Sequence, residues 1–224
     1  MPSRLVIGCA AAAFALAAWA ALDPARGGLA VLLAALAVVA AGFAWLESGT
    51  LSARDLTLVA TLAGLAAAGR VLFAPVPGVQ PVTVIVAAAG VALGPRRGFA
   101  VGAVAALASN FFLGQGPHTP WQMLAWGGCG FAAGLLRPVL RGRLAFAAFT
   151  VALGLAFGSV MDLWLWYGFY PHTEAALLAR LAAGLPFNVA HAAGNVVLAL
   201  AVGPELRRVL ERFERRRRTE VVWT

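Results

Sequence analysis

The 224-residue chain contains no lysine. A Walker-type phosphate loop requires one, so the chain does not itself bind ATP in that way. Charge of either sign is scarce, at 12% of residues, whereas 62% are hydrophobic; an ordinary soluble domain is about a quarter charged and about half apolar. Nor is there a GxSxG nucleophile elbow, an HExxH zinc helix or a pair of carboxylates within one apolar run. The histidines His118, His172 and His191 lie in three separate segments. A hydrolase needs a nucleophile whose activation is visible, so the chain reads as a non-enzyme; a membrane enzyme would instead show turnover that depends on His118 or His191. Cys9 and Cys129 are far apart, form no CxxC pair and have no His or Cys neighbour at metal-ligand spacing. They read as small core residues, and neither a metal nor a cofactor is expected.

What the chain does have is apolar runs punctuated by Pro, Gly and Arg. A bilayer core takes about 20 apolar residues per helix, and backbone polar groups must be satisfied within the segment. The pattern therefore predicts an all-α integral membrane protein, with candidate helices at 5–22, 28–46, 55–73, 80–94, 98–113, 121–138, 144–169 and 184–203. The run after Pro81 is short for a full span, as in a tilted or partly re-entrant segment. Arginine placement sets the orientation. With both termini cytoplasmic, Arg4, Arg54, Arg96, Arg97, Arg137, Arg141, Arg143 and the seven arginines from Arg207 to Arg218 fall inside, leaving Arg26, Arg70 and Arg180 on the outer side. Residues 1–22 also fit a secretory signal, with Ala18, Trp19 and Ala20 as an A-x-A-like cleavage site; cleavage would leave the N-terminus outside. The tail ELRRVLERFERRRR, residues 205–218, interleaves Glu205, Glu211 and Glu214 with arginines at helical spacing, which predicts a solvated cytoplasmic helix face. Its charge also suits an anionic lipid surface or nucleic acid, the less favoured readings.

Polar groups inside apolar runs are costly, so their placement is informative. Asp162, in GSVMDLWLWYGF, is the only acid well inside a predicted span, and Ser159, Asp162, Trp166 and Phe169 share one arc of that helix. They form either an inward face or, for Asp162, a pair with a neighbouring helix. In PFNVAHAAGNVVL, Asn188, His191 and Asn195 lie at i, i+3 and i+7, within an arc of roughly 60°. Such a face holds a polar ligand or forms interhelical hydrogen bonds. Trp121, Trp126, Trp164, Trp166 and Tyr167 suit an interfacial belt, but they coincide with Asn110, Gln115, His118 and Gln122, which favours a pocket. The stretch SNFFLGQGPHTPWQM, residues 109–123, then becomes an uncharged outer lip. Ala60, Gly64 and Ala68 stand four residues apart, a smooth stripe for internal packing or for another subunit.

From about Leu56 to Pro204 the chain resembles the substrate-binding S component of energy-coupling factor (ECF) vitamin transporters. The resemblance rests on the proline-rich outer loop Pro75 to Pro81, GPRRG at the inner turn, SNFFLGQGP and TPWQMLAWG. It implies a six-helix S-component-like bundle at 51–204, preceded by an N-terminal membrane extension of about two helices at 1–50 and followed by a basic cytoplasmic tail at 205–224. It further implies capture of a vitamin or related micronutrient at the outer face of the cell membrane, with a coupling transmembrane T subunit and two cytoplasmic ATPases as partners. The extension has no counterpart in the six-helix core. On this resemblance Ala60, Gly64 and Ala68 face the coupling subunit, and Gln80 and the outer parts of the last three helices line the pocket. The expected lining is Gln115, His118, Trp121, Gln122, Trp126, Asp162, Trp166, Asn188, His191 and Asn195. Several rings among amides suit a flat heterocycle or a large conjugated ring; cobalamin or a corrinoid precursor is favoured by the resemblance alone. A stand-alone secondary transporter and a membrane scaffold without ligand remain as alternatives.

Overall fold

The computed structural model describes residues 26–47 and 52–220, together with isolated positions in the first apolar run. The expected first helix at 5–22 and its signal-like character therefore lie outside the described residues. Among the described residues every regular element is helical: α1 Gly27–Glu47, α2 Ala53–Leu72, α3 Val82–Leu93, α4 Pro95–Leu113, α5 Thr119–Leu135, α6 Arg143–Phe169, α7 Glu174–Ala201 and α8 Gly203–Glu220. Three of these, α2, α6 and α7, are long and apolar enough to cross a membrane, and α3 is a shorter apolar helix. The protein is an all-α membrane protein.

Local chemistry sets the helix ends. Ser52 and Asp55 close a capping box at the start of α2, with Ser52 Oγ accepting from the Asp55 amide at 3.2 Å and Asp55 Oδ2 accepting from the Ser52 amide at 3.0 Å. Gly94, at φ +92°, separates α3 from α4, which then starts with Pro95 in its first turn. The last spanning helix differs from expectation. It begins at Glu174 rather than near 184, because Thr173 caps it by accepting from the Ala176 amide at 3.2 Å, and it carries Pro186 in its interior instead of starting there. Likewise α5 stops at Leu135, where residues 136–142 turn toward α6.

At the centre lies α3. All twelve of its residues are buried, and it touches α2, α4, α5, α6, α7 and α8. Such crowding requires small residues at the crossings. A side-chain carbon added at Gly130 of α5 would run into the Gly98 carbonyl of α4, and one at Gly90 of α3 would run into the Gly130 carbonyl. The three backbones are thus in direct contact, as small-residue helix interfaces allow. α1 lies against α4, α5 and α6, with Gly42 against the Phe99 ring.

Arginines gather at one end of this bundle. Arg97 bridges Asp55 at 2.9 Å and Glu214 at 3.4 Å, tying the start of α2 and the tail helix α8 to the α3–α4 turn. Arg207 donates to the Leu140 carbonyl and Arg143 to the Leu200 carbonyl, each at 2.7 Å. The tail is a helix with the expected Glu205–Arg208 and Arg207–Glu211 pairs, but it is not a wholly solvated face. Leu210 is buried and α8 packs on α3 and α7, because its apolar edge has a surface to cover. At the opposite end lie the loops 73–81, 114–118 and 170–173.

Candidate functional site

Near the end opposite the basic cluster, polar side chains from four elements meet around one guanidinium. Arg70, in the last turn of α2, is only 6% exposed. Its Nε donates to Gln80 Oε1 at 3.1 Å, and one terminal nitrogen donates to Ser109 Oγ and Asn110 Oδ1, both at 2.6 Å. The other terminal nitrogen reaches Gln122 Oε1 at 3.4 Å. Asn110 in turn donates to Gln122 at 2.8 Å and to Thr119 Oγ1 at 2.9 Å. The guanidinium carbon Cζ lies over the Trp126 ring, 4.8 Å from its centroid, a cation–π contact.

Trp126 leads on to a second set. Its ring stacks on Phe157 with centroids 4.2 Å apart, and Phe157 stacks on His191 at 5.4 Å. Thr83 Oγ1, on the central helix, accepts from Trp126 Nε1 at 3.1 Å and shares a hydrogen bond with His191 Nε2 at 2.8 Å. One buried hydroxyl thereby fixes two rings on two other helices. One turn along α7 from His191, Asn188 donates to Asp162 Oδ2 at 2.8 Å, and Arg180 donates to Asp162 Oδ1 at 2.8 and 3.1 Å. The Asp162 carboxylate is therefore neutralised by its own partner, the interhelical pairing that the sequence left open.

The loop 73–81 covers this region. Gly78, at φ +75°, brings its backbone against Ala190 and the Phe187 carbonyl, and Val79 lies against Gly194. Only glycine adopts that φ without strain while approaching a helix so closely.

The expected residues divide accordingly. Gln122, Trp126 and His191 fall in the Arg70–Thr83 network, and Asp162 and Asn188 adjoin it. Asn195 lies further along α7, fully buried, donating to the Thr150 carbonyl at 3.1 Å while its Oδ1 has no partner. Gln115 is exposed and ties its own loop, donating to the Leu107 carbonyl at 3.1 Å and accepting from Thr119 at 2.9 Å. His118 packs edge-on against Trp164 at 6.2 Å. Trp166 joins Tyr167 and His172 in a separate aromatic group. The indole nitrogens of Trp121 and Trp166 are buried with no hydrogen-bond partner. Ser159 and Phe169, expected on the inward arc with Asp162, are exposed, so that arc is narrower than helical spacing alone suggests. Ala60, Gly64 and Ala68 are all exposed, and nothing lies within 4 Å of a side-chain carbon built on Gly64.

Sequence reasoning missed Arg70, Thr83, Ser109 and Phe157. Arg70 carried a signal, since an ionisable residue within the apolar run TLVATLAGLAAAGRVLF is a functional candidate by default. Counting it as an orientation charge hid it. Thr83 and Phe157 had no such signal.

An all-helical membrane bundle with hydrogen-bonding and stacking groups collected near one end defines a membrane protein suited to hold a small molecule without altering its bonds. A family model for the ECF transporter, substrate-specific component, matches residues 54–203, the stretch from the first turn of α2 through α7. The chain belongs to that family and is a substrate-capture subunit of an ECF transporter, not an enzyme. Membership implies association with T and ATPase subunits and a small-molecule substrate. No curated protein and no solved structure matches the chain.

Proposed function

We propose that the protein captures a vitamin or related micronutrient built on a flat conjugated ring, between the loop 73–81 and the facing parts of α5, α6 and α7. The observation that carries this reading is the run of rings Trp126, Phe157 and His191, flanked by Gln80, Asn110, Gln122 and Asn188. Trp126 has Arg70 over one face and Phe157 on the other, so a flat cargo would meet this run through ring edges and the partly exposed Phe157, while amides offer orientation. Cobalamin or a corrinoid precursor is the cargo we propose within that class, on the resemblance of the sequence. The arginine-rich end is cytoplasmic, in keeping with the positive-inside rule, so the site opens outward. A coupling T subunit and two ATPases supply the energy, with Ala60, Gly64 and Ala68 as a contact stripe for the T subunit. Their exposure supports this role, since a stripe of small residues turned away from the bundle lets a second helix approach closely.

The test is retention and uptake. Gently solubilised protein should carry a small molecule detectable by mass spectrometry, and the double variant Asn188→Ala, His191→Ala should lose uptake in cells. Protein that retains nothing, with uptake intact in the double variant, removes the reading. Co-purification of a T subunit separates it from a stand-alone secondary transporter.

A further inference from the structure

We propose that the cargo carries an anionic group, a carboxylate or a phosphate, that docks on Arg70. The inference rests on the capture reading above and narrows it to acidic substrates.

A buried charge is retained only where it is compensated. The Arg70 guanidinium is almost wholly removed from solvent, yet each of its hydrogen-bond partners, Gln80, Ser109, Asn110 and Gln122, is a neutral oxygen. Among the described residues no carboxylate pairs with it. The buried acids are engaged elsewhere, Asp55 with Arg97 and Asp162 with Arg180. The Trp126 face attracts the cation but carries no net charge to cancel it.

The donor count points the same way. Of five guanidinium hydrogens, one goes to Gln80 and two leave the nitrogen shared by Ser109 and Asn110. The remaining nitrogen has two hydrogens and one acceptor, Gln122 at 3.4 Å, which is longer than a well-formed N–H···O bond. A guanidinium edge with unspent donors matches a carboxylate or phosphate, which accepts two parallel bonds. Gln80 and Gln122 are the groups such an anion displaces, since both present neutral amide oxygens and are only partly buried. The ring system of the cargo then lies toward Trp126 and Phe157. No competing cation site adjoins it, because Asp162 is already neutralised by Arg180.

The experiment uses the full chain, solubilised in mild detergent, and identifies the recovered cargo. The expected result is a compound with a carboxylate or phosphate ionised at neutral pH. A neutral or cationic cargo overturns the proposal while leaving the capture reading intact; no cargo and no uptake overturns both. The recovered compound is then returned to stripped protein as its methyl ester or its dephosphorylated form, which separates the two acids and should bind at least tenfold more weakly. Equal binding of the uncharged form overturns the proposal without recourse to any variant. Arg70→Gln should abolish the preference for the acid, and Arg70→Lys should restore part of it. An unchanged preference in Arg70→Gln overturns the assignment of the residue.

Discussion

Replacing Thr83 with valine tests whether one hydroxyl holds the ring system. Valine keeps the shape and removes only the oxygen that accepts from Trp126 and bonds His191. Thr83 is fully buried, Trp126 is 1% exposed and His191 is 6% exposed, so water cannot replace the lost partner. In a soluble core two such orphans would cost about 1–3 kcal/mol each. Side-chain hydrogen bonds between membrane helices are weaker, averaging about 0.6 and reaching about 1.7 kcal/mol, because the unfolded helices also find partners. Thr83→Val should therefore destabilise the protein by about 1–3 kcal/mol, read from reversible unfolding in mixed micelles. A double-mutant cycle with Trp126→Phe, which has no N–H to orphan, should return a coupling of about 0.5–1.5 kcal/mol. Cargo binding should weaken as well, since the stacking ring loses its tether. A parent-like unfolding free energy with a coupling below about 0.3 kcal/mol would refute the idea that this hydroxyl organises three helices.

Other substitutions probe separate parts of the molecule. Gly130→Val places a side chain against the Gly98 backbone and should prevent accumulation of folded protein, measured by the monodisperse fraction on size exclusion. Gly64→Leu meets open space and should leave folding unchanged while reducing co-purification of the T subunit. Asp162→Ala strands Arg180 and Asn188. Because the Arg180 side chain remains 19% exposed, the loss should be about 1–2 kcal/mol, below the cost of a fully buried broken pair. Adding Arg180→Gln to Asp162→Ala should recover part of it in the same unfolding assay.

The helical class was legible because hydrophobic runs report directly on a bilayer, and the short run after Pro81 is a short helix of twelve residues. The start of α7 was not, because Leu185-Pro186 resembles a boundary. The true signal, Thr173 and Glu174 ahead of AALLARLAAGL, was local capping chemistry lying beyond a stretch read as loop. In the candidate site, helical spacing grouped Asn188, His191 and Asn195 on one face, and all three turn inward to some degree. It could not pair Asp162 with Arg180 or seat Arg70 over Trp126, since those contacts join helices that sequence spacing does not relate. Gln115 shows the opposite limit: its side chain is polar and near the site, yet it is occupied in holding its own loop.

The brevity of α3 has a consequence for distance travelled. Twelve residues rise about 18 Å, against a hydrocarbon core of about 30 Å. A molecule seated beside Thr83, at the start of that helix, is therefore separated from the arginine-rich end by little more than half the membrane. With the arginine-rich end cytoplasmic, as proposed, the displacement asked of any machinery that moves this subunit would be about 18 Å rather than the full hydrocarbon thickness of about 30 Å.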